Sequence, residues 1–89
     1  MAEIAWTARA LAKIDAIKEH IEPFDPAAAE RIAARLLKAG ESLAYFPNRG
    51  RPGPKGTREL SVVPPYIIRY RVRGDVVTIV TVKHGRQRK

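Results

Sequence analysis

The chain has 89 residues, no cysteine and a formal net charge of +8 at neutral pH. This length suits one domain with a small hydrophobic core, so a single domain over residues 1–89 is predicted. The composition excludes disulfides and thiolate metal sites, which fits a reducing cytoplasm. No apolar run approaches the roughly 20 residues that span a bilayer, so we expect a cytoplasmic protein without a membrane partner.

The positive charge is concentrated in the second half of the chain. Residues 1–48 contain six Lys and Arg against seven Asp and Glu, a net charge of −1, and residues 49–89 contain eleven against two, a net charge of +9. Such a field attracts anionic partners, among them nucleic acid, a ribosome, an acidic protein segment or an anionic membrane surface. The alternative is that a basic composition only keeps the protein soluble.

The N-terminal region predicts a short strand followed by a first helix. Ile4 and Trp6 lie on one side of a strand over residues 2–6 because strand side chains alternate with period two. Thr7 is a suitable N-cap for the helix, and Pro23 ends it. The apolar positions of this helix recur at helical spacing, at Leu11, Ile14, Ile17 and Ile21.

A second helix is predicted from Asp25 to about Tyr45. Asp25 supplies an N-cap oxygen, and Pro26 fits the first helical position, where its missing N–H would have no partner. Gly40 weakens the pattern, so the helix is expected to bend or end there. The short link makes the two helices an antiparallel hairpin. The buried stripe of the second helix comprises Ala29, Ile32, Ala33, Leu36, Leu37, Leu43 and Ala44.

The second half predicts a loop and three antiparallel strands. Residues 47–57 are rich in glycine and proline and indicate a loop. Strands are predicted over 58–63, 66–72 and 76–82, with a turn at 73–75 between the last two. The last strand is too apolar to be an edge strand exposed on both faces, so we expect it inside the sheet. The element order predicts an α+β fold whose helices cover one face of the sheet.

Alternation places the strand side chains on two faces. Leu60 and Val62 are expected on the face opposite Glu59 and Ser61. In the next strand the more apolar set should face the helices, which leaves arginines on an open, concave face. The apolar set is Tyr66, Ile68, Tyr70 and Val72, and the opposite set is Ile67, Arg69 and Arg71.

Several short motifs follow one another from the second helix to the C-terminus. They are a Leu-x-x-x-Pro-x-x-Gly-Arg stretch (Leu43, Pro47, Gly50 and Arg51), Gly-Thr-Arg-Glu-Leu at 56–60, Tyr66, Tyr-Arg-Val at 70–72 and His-Gly-Arg at 84–86. In this order and spacing the chain resembles, over essentially its whole length, the ParE/RelE superfamily of toxins from bacterial type II toxin–antitoxin systems.

The resemblance implies a compact toxin that inhibits growth and is neutralised by a cognate antitoxin of the ParD or RelB type in a hetero-oligomeric complex. ParE-like members poison DNA gyrase, whereas RelE-like members are mRNA interferases that act at the ribosome. Fold alone does not choose between these activities. We expect no cofactor and no metal, because two isolated histidines, His20 and His84, do not make a metal site without other close ligands.

This chain departs from the ribonuclease branch at several positions. That branch commonly has an arginine where this chain has Ile67, and lysines near the positions of Thr57 and Glu59. Some members also use a tyrosine near the C-terminus, and no tyrosine follows His84 here. A ribonuclease would therefore depend on His84 as an acid–base group with arginines that stabilise the phosphate charge. Those arginines are Arg58, Arg69, Arg71 and Arg86.

The departures favour the ParE-like branch, for which no catalytic residue is predicted. His84 is then a strand-end residue that packs or forms hydrogen bonds. The predicted target-binding residues are Arg49, Arg51, Lys55, Arg58, Arg69, Arg71, Lys83 and Arg86. Arg69 and Arg71 could instead pair with Glu59 or Asp75, although two acids do not neutralise eleven cations.

The apolar helix positions are most simply core. If some are exposed in the free toxin, they predict the antitoxin groove, at Leu11, Ile14, Ile17, Ile21, Leu36 and Leu37. A third hypothesis is a degenerate toxin that only binds its antitoxin or nucleic acid.

Overall fold

The computed structural model describes residues 1–86, which form two α-helices and one sheet of five β-strands. The elements in chain order are β1 Glu3–Trp6, α1 Ala8–Ile21, α2 Pro26–Glu41, β2 Arg51–Pro52, β3 Arg58–Val63, β4 Tyr66–Arg73 and β5 Val76–His84. The strand order is β1-β5-β4-β3-β2, with β1 parallel to β5 and the other pairs antiparallel. The predicted α+β class is confirmed, and β5 lies inside the sheet as expected.

Both helices begin at the positions predicted from their N-cap residues. The Thr7 hydroxyl accepts a hydrogen bond from the Ala10 amide at 3.0 Å, and the Asp25 carboxylate accepts one from the Ala28 amide at 3.0 Å. Each bond satisfies an amide that the helix leaves without a partner. The second helix ends at Glu41, one residue after Gly40, where the sequence indicated a bend or an end, and residues 42–44 form a 3-10 turn, so the α-helix does not continue to Tyr45.

Gly40 is required by the close approach of α2 to β1. A Cβ atom at this position would lie 2.5 Å from the indole ring of Trp6, which is closer than van der Waals contact allows. The indole Nε1 of Trp6 also donates a hydrogen bond of 2.8 Å to the carboxylate of Glu41. The glycine therefore lets the tryptophan pack against the last turn of the helix.

The loop predicted over residues 47–57 contains an additional strand. In β2, Arg51 pairs with Glu59 and Pro52 pairs with Arg58. A two-residue strand shows no alternation in the sequence, and proline is tolerated on an edge strand because one side of that strand needs no ladder bonds. The expectation of only three strands after the helices was therefore wrong by this edge strand.

A bulge in β3 changes which side chains face the helices. Leu60 pairs with Ile68 and Val63 pairs with Tyr66, so β3 has one more residue than β4 between these pairs. The extra residue reverses the alternation. Val62 is consequently 41% exposed and Val63 is 4% exposed, whereas simple alternation placed Val62 beside Leu60.

A second irregularity lies between β4 and β5. Arg69 pairs with Thr81 and Tyr70 pairs with Ile79, which leaves Val80 without a directly opposite partner. Alternation continues from the shifted register, so His84 lies opposite Tyr66 on the face that carries the helices.

The two faces of the sheet differ as the sequence indicated. On the helix face, Ile68 and Tyr70 are buried at the centre of the core, and Tyr66 and Val72 pack against it. The buried residues of the core cluster are Ala10, Ile14, Leu36, Ala39, Leu43, Leu60, Val63, Ile68, Tyr70, Val77, Ile79 and Val82. The opposite face, called the outer face, carries Arg51, Glu59, Ile67, Arg69, Arg71 and Lys83 by strand register. Across residues 1–86, neither helix has the length and apolar character needed to cross a membrane.

Candidate functional site

A carboxylate lies at the centre of the outer face. Glu59 Oε2 accepts hydrogen bonds from Arg69 Nε at 3.1 Å and Nη2 at 2.7 Å, and Lys83 Nζ lies 3.5 Å from the same oxygen. The three side chains are 17%, 16% and 12% exposed, in the order Glu59, Arg69 and Lys83. Two of the predicted target-binding cations are therefore paired within the protein.

The pKa of Glu59 reflects this pairing. Burial raises the pKa of the carboxyl group because a charged form is less stable away from water, but the hydrogen bond and charge of Arg69 and the charge of Lys83 lower it. The pairing outweighs the burial, so the pKa lies below its ordinary value. The carboxylate is ionised at neutral pH and balances part of the charge on the outer face.

Tyr70 and Arg58 hold the segment that connects α2 to β2. The buried Tyr70 hydroxyl donates to the Pro47 carbonyl at 2.7 Å and accepts from the Gly50 amide at 2.9 Å. Arg58 Nη1 donates to the Gly50 carbonyl at 2.7 Å. Arg58, which was predicted as a target or phosphate contact, therefore has a structural role in this loop.

The loop over residues 53–57 packs against the outer face. Arg71 Nη2 donates a hydrogen bond of 3.2 Å to the Lys55 carbonyl, and a Cβ on Gly53 would lie 3.1 Å from the Glu59 side chain. The loop thus covers part of the face that was expected to be open. Lys55 is exposed and has φ 55°, in the left-handed region that is unfavourable for residues other than glycine.

His84 lies on the other side of the sheet. Its ring meets Tyr66 edge to face, with centroids 5.8 Å apart, and its Nδ1 accepts from the Arg86 amide at 3.1 Å. It lines a cavity of about 220 Å³ between α1 and the ends of β4 and β5. The lining residues are Lys13, Ala16, Ile17, His20, Tyr66, Val82, Lys83 and His84. The predicted ribonuclease cluster is not assembled, because Arg69 and Arg71 project from the opposite face of β4.

The eight predicted target-binding residues fall into two groups. The exposed cations are Arg49, Arg51, Lys55 and Arg86. The partly buried ones, each with a contact inside the protein, are Arg58, Arg69, Arg71 and Lys83. The basic tail continues through residues 87–89, which lie outside the described part of the chain.

The predicted antitoxin-binding residues also divide. Ile14 and Leu36 belong to the core, at 4% and 0% exposure, and are not presented to a partner in this structure. Leu11 and Leu37 are 42% and 40% exposed. Ile17 and Ile21 are partly buried.

A groove between α2 and β3 was not anticipated from the sequence. A cavity of about 260 Å³ lies between α2 and β3, and it shares Arg35 and Lys38 with a cavity of about 310 Å³ that is lined by α2 alone; together they form this groove. Its lining residues are Arg31, Ala34, Arg35, Lys38, Ala39, Ser42, Arg49, Val62 and Val63. The spacing of Arg31, Arg35 and Lys38, at i, i+4 and i+7, could have predicted one basic helix face. Within residues 1–86, no three metal-ligating side chains are grouped to hold an ion.

Comparisons with known proteins agree over almost the whole chain. The family model described as the ParE toxin of the type II toxin–antitoxin system parDE matches residues 4–89. The chain is 51% identical over 85 residues to Toxin RelE2 of Caulobacter vibrioides, covering 96% of this chain and 97% of that protein. It is 50% identical over 86 residues to Y4kP of Sinorhizobium fredii, covering 94% and 88%. A solved chain of the chromosomal ParDE system from P. aeruginosa superimposes with a TM-score of 0.83 at 26% identity, covering 94% of this chain and 96% of that one.

Proposed function

Because this chain belongs to the ParE toxin family of type II toxin–antitoxin systems, we propose that it inhibits growth by binding and poisoning DNA gyrase. In this proposal a cognate antitoxin neutralises it, and the toxin contributes binding contacts without chemistry of its own.

The position of His84 relative to the arginines carries the proposal. Cleavage of RNA needs a proton-transfer group and a charge-stabilising cation close to one phosphate. His84 lies on the helix face of the sheet, opposite Tyr66, whereas Arg69 projects from the other face and is neutralised by Glu59. This separation favours a binding toxin over an enzyme built on the predicted cluster.

The names of the matching proteins refer to both the ParE and the RelE branches of the superfamily. The family model and the solved neighbour carry the names ParE and ParDE, and the sequence resemblance associates ParE with gyrase poisoning. The relative RelE2 carries the name that the resemblance associates with the ribonuclease branch. The support for the gyrase proposal therefore comes from the separation of His84 and Arg69 on opposite faces of the sheet.

The exposed cations on the loops are the proposed gyrase contacts. Arg49, Arg51 and Lys55 project from the segment between α2 and β3, and Arg86 follows β5. Lys55 is the most informative of these because its backbone conformation costs on the order of 1 kcal/mol for a residue other than glycine. The presence of an exposed lysine in this conformation favours a role for its charge at the surface.

A second candidate function is ribosome-dependent mRNA cleavage at the cavity beside α1. His84 shares this cavity with His20, Tyr66 and two lysines, so two imidazoles and two cations line one concave site. Imidazoles transfer protons near neutral pH, which makes this set the one that a ribonuclease activity would use.

The two functions separate in a short induction of the toxin without antitoxin, with thymidine and methionine incorporation followed in parallel. Gyrase poisoning predicts an early fall in DNA synthesis with protein synthesis spared for several minutes. An immediate fall in protein synthesis would overturn the proposal in favour of the ribonuclease. If neither changes while soluble toxin is present, only the degenerate-toxin hypothesis remains.

Two variants sharpen this experiment. Lys55→Gly removes the charge and relieves the backbone conformation, so it should reduce gyrase poisoning without loss of folding. His84→Ala is the matched test of the ribonuclease, because it should leave the inhibition of DNA synthesis intact. Abolition of toxicity by His84→Ala in a folded protein would contradict the gyrase proposal.

A further inference from the structure

The segment that follows α2 exposes two consecutive aromatic side chains. Tyr45 and Phe46 are 68% and 66% exposed. By contrast, Tyr70 is buried at the centre of the core, and Trp6 and Tyr66 pack against it. An aromatic ring buries about 150–250 Å² when it is fully enclosed. Two neighbouring rings at the surface therefore leave an apolar patch uncovered, of the kind that marks an interaction site.

The backbone that carries the two rings is fixed by local hydrogen bonds. The Ser42 carbonyl accepts from the amides of Tyr45 and Phe46 at 3.2 and 3.3 Å. The Arg49 amide donates to the Phe46 carbonyl at 3.2 Å, which closes a turn over residues 46–49. The rings are thus exposed on a segment whose backbone groups are paired, rather than on a loop without internal bonds.

Both ends of the segment are also attached to the sheet. At one end the Ala2 amide, just before β1, donates to the Ala44 carbonyl at 2.7 Å. At the other end the Tyr70 hydroxyl donates to the Pro47 carbonyl and accepts from the Gly50 amide. Contact residues that are held in place before binding lose less conformational entropy when a partner arrives. The segment is therefore preorganised to present its two rings.

Positive charge follows the rings along the chain. Arg49 and Arg51 are exposed, and the Arg49 guanidinium donates a hydrogen bond of 2.9 Å to the Ser42 hydroxyl. Among residues 1–86, neither arginine forms an ion pair with a carboxylate. Aromatic side chains and arginine are the residues that most often supply the binding energy of protein interfaces. The complementary surface has an apolar pocket with acidic groups at its rim.

A protein partner fits this arrangement better than single-stranded nucleic acid. Bases do stack on aromatic rings, but sites that bind single strands place those rings in a positively charged groove that follows the backbone. Neither Tyr45 nor Phe46 lines the basic groove between α2 and β3 or the cavity beside α1. The rings are separate from both concave surfaces, as expected of side chains that insert into a pocket on another protein.

We propose that Tyr45 and Phe46 are the apolar anchor of the gyrase-binding surface, and that they enter an apolar pocket of the target whose acidic rim contacts Arg49 and Arg51. The inference rests on the proposed function and adds the residues that supply most of its binding energy. The loop cations then form the polar rim, which directs the encounter and orients the two proteins.

The test compares Phe46→Ala and Tyr45→Ala with Phe24→Ala. Phe24 is 84% exposed in the link between α1 and α2, so its substitution removes the same atoms as Phe46→Ala at a different place on the surface. Urea unfolding checks that the three variants are folded. The affinity of each purified toxin is measured for purified gyrase and for the antitoxin, and thymidine incorporation is followed after induction of each toxin alone.

Phe46→Ala and Tyr45→Ala should each weaken gyrase binding roughly tenfold or more and spare DNA synthesis, because truncation of an interface anchor leaves a cavity in the partner's pocket. Both should keep the wild-type affinity for the antitoxin. Tyr45→Phe keeps the ring and should bind gyrase more tightly than Tyr45→Ala. Phe24→Ala should match the wild type in every measurement. Phe46→Gln provides the same comparison if the truncation impairs folding.

Gyrase affinity and toxicity of Phe46→Ala equal to those of the wild type would overturn the inference. So would a loss of antitoxin affinity with gyrase binding retained, because the rings would then belong to the antitoxin interface. An equal loss in Phe24→Ala would also contradict it, since no particular surface would be involved. If the wild-type toxin does not bind gyrase, the proposed function fails and the inference with it; if the wild type binds and the variants bind equally, the inference alone fails.

Discussion

The outer face of the sheet and the α2–β3 groove are both rich in cations but differ in how those cations are balanced. On the outer face, Glu59 contacts Arg69 and Lys83, and all three side chains are less than a fifth exposed. In the groove, Arg31, Arg35 and Lys38 are exposed and no acid lies among the lining residues.

This difference shows that the number of cations on a surface does not by itself identify a binding site. Removing the partner of a paired, partly buried cation destabilises the fold, because it leaves a charge with little access to water and no opposite charge. Exposed cations that repel one another contribute little to stability and remain available to an anionic partner. The half of the chain with net charge +9 therefore contains much of the structural pairing, whereas three of the four groove cations, Arg31, Arg35 and Lys38, belong to the half with net charge −1.

The largest effect is expected from removing the acid at the centre of the outer face. Glu59→Ala leaves Arg69 and Lys83 as neighbouring cations with little access to water, and should lower the free energy of unfolding by roughly 2–4 kcal/mol. Urea unfolding measures this loss. Glu19→Ala, an exposed acid on α1, is the control and should change stability little. Equal effects of the two substitutions would show that the outer-face pairing contributes nothing.

An intermediate effect on stability is expected at the loop between α2 and β2, which connects the groove to the outer face. Tyr70→Phe leaves the Gly50 amide and the Pro47 carbonyl without their buried partner, which should cost about 1–2 kcal/mol. The loop positions Arg49 in the groove and Arg51 on the outer face. We therefore expect faster amide hydrogen exchange at Gly50 as well as lower stability. Unchanged exchange at Gly50 would argue against this anchoring role.

A smaller effect is expected from pH, with a sign set by the pKa of Glu59. Since its folded pKa lies below the ordinary value of 4.5, the ionised carboxylate stabilises the fold above that value, and this contribution is lost as pH falls through the folded pKa. The stability difference between wild type and Glu59→Gln should therefore be full at pH 7 and shrink below about pH 4.5. A difference that grows on acidification would contradict the pairing.

The smallest effect on stability is expected in the groove. Arg35→Ala with Lys38→Ala should change the free energy of unfolding by no more than about 0.5 kcal/mol, because both side chains are exposed and lie among like charges. Urea unfolding measures this change as well. A loss comparable to that of Glu59→Ala would remove the distinction between the two regions, since the groove cations would then be structural.

Much of the fold was predictable because the relevant signals are local. Thr7 and Asp25 cap helices through amides three residues away, and the apolar periodicity of α1 is visible over about three turns. The faces of β4 follow from alternation alone, and Gly74, at φ 57°, provides the turn that leads into β5. Predictions of this kind need no knowledge of what lies across the sheet.

The candidate sites were less predictable because they depend on register between distant segments. Bulges in β3 and β5 turn Val62 outward and place His84 opposite Tyr66 on the helix face, and no residue pattern within either strand marks them. The basic spacing of Arg31, Arg35 and Lys38 was visible in the sequence. Whether an acid lies close to these three cations depends on the directions of the Glu30 and Glu41 side chains in the folded protein.

The sequence by itself determined the helix hairpin, the antiparallel strands, the class of protein and the excess of cations, since each follows from residue types and short spacings. Only the tertiary structure decided which cations are neutralised, because Glu59 meets Arg69 and Lys83 across three adjacent strands. Charge at a surface depends on distances between side chains that are far apart in the chain, and folding alone establishes those distances.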